Sequence, residues 1–160
     1  MSLRVEIVKL SDERHRLGLC RSDGSVEAVE LETRSLLLHD FAHWAVEAEV
    51  PIEDGFFGLV ARGVSLGELA ERGMADPLSP GLALAERLVG PFQALWNGRL
   101  EAAVYLTHAR GVGPHLDEAW IARVSERLRR LTGAWRAVPF AGALELAWPP
   151  AADPVVVGRR

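Results

Sequence analysis

Residues 3–32 read LRVEIVKLSDERHRLGLCRSDGSVEAVELE, and their period decides the fold class. Leu3, Val5 and Ile7 alternate with Arg4 and Glu6, and His15, Leu17 and Leu19 oppose Arg16, Gly18 and Cys20. Successive side chains of a strand point to opposite faces, so a period of two predicts strands with one buried face. The polar SDER stretch separates the first two strands. Ser22-Asp23-Gly24-Ser25 then holds an Asp-Gly pair that accepts positive φ, and alternation resumes through Val29 and Leu31. Three antiparallel strands are therefore expected, with a fourth at residues 142–148, closed by Pro149-Pro150.

Outward from the strands the period becomes helical. Ser35 reads as the N-cap of a helix running to about Val50, where Pro51 ends it because proline lacks an N–H and restricts its predecessor. In residues 52–73, IEDGFFGLVARGVSLGELAERG, the glycines predict a compact loop and then a short helix over 65–72. Ser79-Pro80 reads as N-cap and first helical residue. That helix meets Gly90-Pro91, a further helical stretch carries Phe92, Leu95 and Trp96, and Asn97-Gly98 is a candidate break. Late in the chain, Ile121, Val124, Leu128 and Leu131 predict a helix over 116–132, stopped by Gly133, with Arg123, Arg127, Arg129 and Arg130 on a solvated face. The expectation is a single α+β domain over residues 1–150: a small antiparallel sheet, three N-terminal strands plus one C-terminal strand, packed on four to five helices. Residues 151–160 read as a flexible C-terminal tail.

Composition narrows the class. With 160 residues, 49% hydrophobic and 25% charged, the chain suits one globular domain. At that size folding buries roughly 70% of the unfolded surface, so no metal or disulfide staple is required. Against 22 acidic residues stand 18 basic ones, a net charge of -4, which lacks the footprint of a nucleic-acid binder. Cys20 is the single cysteine, which fits a reducing cytoplasm. The opening MSLRVEIVKL is not a signal peptide, and no run approaches the ~18 apolar residues of a membrane helix. A cytoplasmic location without membrane or nucleic-acid partners is expected. Cys20 and His15 fall on opposite strand faces, so no thiolate pair forms, and Walker and GxGxxG motifs are absent from the sequence. Trp44, Trp96, Trp120, Trp135 and Trp148 read as core or as the walls of an apolar cleft.

The chemistry lies in residues 36–47, LLLHDFAHWAVE. His39 and His43 stand four residues apart on one helical face, the spacing two imidazoles need to reach one metal ion. Asp40 and Glu47 join them within roughly a 100° sector of an otherwise apolar helix, which predicts a helix central to the core. Between Ser35 and Ala61 there is no Lys or Arg, while Asp40, Glu47, Glu49, Glu53 and Asp54 supply carboxylates, a field that favours a cation. His39 and His43 are the expected metal ligands, with zinc or another divalent metal as cofactor and Asp40 or Glu47 handling protons. At ~1.5 Å rise per residue, Glu47 lies about 12 Å along the axis from His39, better placed to hold His43 than to complete its site. A third ligand is then sought among Glu53, Asp54, His108 and His115. Phe56 and Phe57 are expected to pack beside the helix end.

HDFAH resembles the HExxH helix of zincin metallohydrolases, which implies His39 and His43 as ligands and Asp40 as base, with a carboxylate one methylene shorter than glutamate. The wider string HDFAHWAVE, followed by DGFFGLVARG, is similar to a group of bacterial proteins of uncharacterised activity with an HDxxHxxVE helix. Leu37-Leu38-His39-Asp40 also resembles the LLHD helix of HD-domain phosphohydrolases, which pair it with an earlier His and a later Asp; the chain offers His15 in a strand, and Asp54, Asp76 and Asp117. Two function classes follow. One is a metal-dependent hydrolase acting on a small molecule or peptide, with HD-type phosphohydrolase activity as a variant. The other is a non-catalytic small-molecule-binding or interaction protein with a structural His/acid stripe.

Overall fold

The computed structural model describes residues 1–72 and 78–158. Strands β1 (Leu3–Lys9), β2 (Arg14–Arg21) and β3 (Val26–Glu32) form the expected meander, with Gly24 at φ 85° in the second turn. Strand β4 (Ala143–Trp148) pairs with β1 from the other side. The stretch read as a tail instead supplies a fifth strand, β5 (Val155–Val157), antiparallel to β4, and only Arg159-Arg160 of it lie outside the described residues. The sheet order is β3-β2-β1-β4-β5, antiparallel throughout. Register carries the alternation across it: Ile7 stands opposite both Leu17 and Leu144, and Leu17 opposite Val29, so these residues share one face.

The described residues also form six helices. β3 runs directly into α1 (Thr33–Glu49), so the cap falls earlier than Ser35. The Glu32 carboxylate accepts from Arg34 N at 2.8 Å and Ser35 N at 3.0 Å, satisfying first-turn donors that have no helical partner. From Leu37 to Glu49 no residue of α1 is exposed, because α4 and α6 flank it. The segment expected as a glycine-rich loop winds into α2 (Phe56–Ala61), followed by α3 (Leu66–Arg72).

Two expected stops do not stop their helices. α4 (Pro80–Trp96) begins at the Ser79 cap but runs through Pro91 to Asn97. A proline inside a helix leaves the carbonyl four residues earlier without its N–H. Here that carbonyl is Arg87 O, and His108 Nε2 of α5 (Ala102–Val112) lies 2.7 Å from it. That contact from α5 supplies what Pro91 removes, and Tyr105 Oη adds a second tie between the two helices by donating to the Leu88 carbonyl at 3.2 Å. α6 (Glu118–Ala137), capped by Asp117, passes through Gly133 because Leu128 and Leu131 keep its apolar side buried. Of its arginines, Arg123 and Arg127 are not merely solvated: both donate to Glu49 near the end of α1. No helix among the described residues is long and apolar enough to cross a membrane.

Candidate metal centre

The His43 side chain is fully buried and held on both sides. Nδ1 lies 2.9 Å from Glu47 Oε1; the carboxylate can only accept, so Nδ1 carries the hydrogen and Nε2 is turned away from Glu47. Glu47 is itself fixed, since its Oε1 accepts from Phe56 N at 2.9 Å and its Oε2 from Phe57 N at 3.2 Å. Gly55 explains how: a Cβ there would stand 2.5 Å from the Glu47 carboxylate. Gly55 thus serves close approach more than flexibility.

Nε2 of His43 faces Glu86 of α4, with Oε1 at 3.2 Å, within ion-pair reach but without hydrogen-bond alignment, so this buried nitrogen is left without a hydrogen bond. His39, one turn earlier and partly exposed, brings its ring centroid to 4.6 Å from that of His43. One ligand atom each of His39, His43 and Glu86 lie within 4.8 Å of one another. Ligand atoms of a tetrahedral zinc stand ~3.4 Å apart, given Zn–N and Zn–O bonds of about 2.1 Å, so a modest inward swing of His39 would close the set.

The electrostatics describe the same place. Burial alone would lower the His43 pKa, but the Glu47 hydrogen bond and the charges of Glu47 and Glu86 outweigh it and raise it to about 9. Reciprocally, His43 holds the Glu86 carboxyl below its ordinary value against the opposing effect of burial. A positive charge between these two carboxylates is the favoured state of the cluster.

Asp40 lies beside this group. Its Oδ1 is 3.4 Å from His39 Nδ1, and its buried Oδ2 has no hydrogen-bond partner. His39, Asp40, Phe56 and Glu86 line one end of a cavity of about 620 Å³ whose remaining walls come from β2, β3, α3 and α4. As expected, Phe56 packs on His43, with centroids 5.4 Å apart, while Phe57 turns into the core against Trp44 and Trp148. None of the five tryptophans lines the cavity, so its apolar surface is aliphatic rather than indole.

The four residues considered for the third ligand lie elsewhere. Glu53 is 91% exposed and pairs with Arg62; Asp54 accepts from Gly81 N and so secures the start of α4. His108 is taken by Arg87 O, and His115 is exposed in the turn before α6. Among the described residues, Glu86 is the acid whose ligand atom converges with those of His39 and His43. On α4 it sits between Leu82 and Val89 at helical spacing, a lone carboxylate on the buried side of that helix, and that pattern was its signal in the sequence. His15 lies buried in β2 with Nδ1 3.0 Å from Thr33 Oγ1, Asp117 caps α6, and Asp76 lies outside the described residues. No family model, curated protein or solved structure matches this chain.

Proposed function

We propose that this chain is a metal-dependent hydrolase in which His39, His43 and Glu86 hold one divalent ion, zinc by donor type, at the polar end of the cavity. The observation that carries the reading is the convergence of these ligand atoms within 4.8 Å around a buried His43 Nε2 that has no hydrogen bond. Two imidazoles and one carboxylate are a donor set of catalytic zinc sites, which keep a fourth position for water. Glu47 acts through His43: a carboxylate on the far ring nitrogen fixes the tautomer and raises ligand basicity. Asp40, which lines the cavity beside His39, is the candidate general base.

Elemental analysis of protein purified without a His tag tests this, with one zinc per chain expected. Changing both His39 and His43 to Ala should abolish bound metal while the fold survives, and Glu86→Gln should weaken it. Unchanged metal content in the double variant removes the reading. The apolar cavity favours a second reading, a non-catalytic small-molecule binder, and that reading gains if the purified protein holds no metal and takes up none. The phosphohydrolase variant has less support, because among the described residues lining the cavity there is no Lys or Arg to receive a phosphate.

A further inference from the structure

The cavity beside the His39–His43–Glu86 group has two chemically distinct parts. Its long wall is aliphatic: Leu17 of β2, Val29 and Leu31 of β3, Leu66 and Leu69 of α3, and Leu82 of α4. Its charged lining is acidic, namely Glu27, Asp40 and Glu86. The guanidinium that pairs with Glu27 is already committed. Arg21, 8% exposed, donates Nε to the Val60 carbonyl, and its Nη2 donates to the Val64 carbonyl and to Glu27 at 2.9 Å. Glu27 is thereby neutralised and also receives Leu66 N, which ties the wall of α3 to the edge strand β3. Asp40 retains a buried oxygen with no donor. An anionic ligand would meet carboxylates and no guanidinium or ammonium, whereas an uncharged apolar one loses little on entering.

Resting on the metal reading above, we propose that the substrate is an uncharged, largely apolar ester or amide. Its carbonyl lies at the His39–His43–Glu86 end and its hydrocarbon body along β2, β3 and α3. Hydrolysis there consumes one water. The water oxygen bonds to the carbonyl carbon, and the bond from that carbon to the alkoxy oxygen or amide nitrogen breaks. Asp40 takes a proton from the water and returns it to the departing group. The product acid ionises to a carboxylate.

The test uses the full chain, freed of metal with a chelator, and titrates octanamide, octanoate and octyl phosphate by calorimetry. Octanamide should bind at least tenfold more tightly than either anion. Ala70→Trp, at an exposed position on the cavity rim, and Leu69→Gln, in its wall, should each weaken octanamide at least tenfold while zinc affinity stays within twofold. Octanoate or octyl phosphate binding as tightly as octanamide overturns the proposal, as does octanamide binding that neither variant alters. The two layers separate cleanly. Protein that takes zinc but prefers octyl phosphate keeps the metal centre and loses the ligand class. Protein that takes no zinc but selects octanamide keeps the ligand class and loses the hydrolytic centre.

Discussion

Glu47 lies one helical turn beyond His43 and accepts its Nδ1–H at 2.9 Å, while the same carboxylate receives the backbone N–H groups of Phe56 and Phe57. One buried acid thus aims an imidazole and docks the start of α2. Glu47→Gln keeps the size but removes the charge. Zinc affinity should fall ~10- to 100-fold, as when the outer partner of a ligating histidine is lost. Competition against a chromophoric chelator measures this, and an unaltered affinity would detach Glu47 from the site.

Glu86 and His108 give opposite expectations, although both come from helices outside α1. Glu86→Gln should lower zinc occupancy with little change in melting. His108→Ala should leave occupancy intact and cost about 1 kcal/mol of stability, since it strips the Arg87 carbonyl freed by Pro91 of its donor. Metal content and a denaturant melt on both variants check the pair.

Asp40→Asn separates base from scaffold. The Asp40 Oδ2 has no hydrogen bond to lose, so the midpoint of thermal unfolding should hold steady. Any hydrolytic rate should drop ~100- to 10,000-fold, the size of a lost general base. A marked fall in melting temperature with metal still bound would make Asp40 structural.

Acid should act through Glu49. Burial alone would raise its pKa, but the hydrogen bonds and charges of Arg127 and Arg123 outweigh it and hold the carboxyl below 4.5. A depressed carboxyl contributes stability that is present above its unfolded value and lost as pH falls through the folded one. Urea melts should therefore show wild type above Glu49→Gln at pH 7, with the gap closing below about pH 4.5. A gap that stays constant with pH would assign the difference to packing instead of charge.

Sequence disclosed these features unevenly, for physical reasons. The meander was legible because residues 3–32 alternate cleanly and Asp23-Gly24 supplies the turn chemistry. His39 and His43 were legible because a four-residue spacing is local. Glu86 was not, because its partnership spans two helices distant in sequence. Only its isolation among Leu82, Ala85 and Val89 marks it. Pro91 and Gly133 misled for a related reason: each weakens a helix locally, and tertiary contacts outweigh that weakness. The Arg87 carbonyl finds His108, and the face carrying Leu128 and Leu131 stays buried. Glycines in residues 52–63 suggested a loop, whereas Gly55 is required by the approach of a carboxylate.

Along its length from Leu37 to Glu49, α1 has no fully exposed residue, so little of it can fray by itself. Heat that frees Trp44 from Phe57 and Trp148 therefore also parts His43 from Glu86. Core and site share this helix, so heating the unaltered protein should part the histidine pair and melt the core in a single transition.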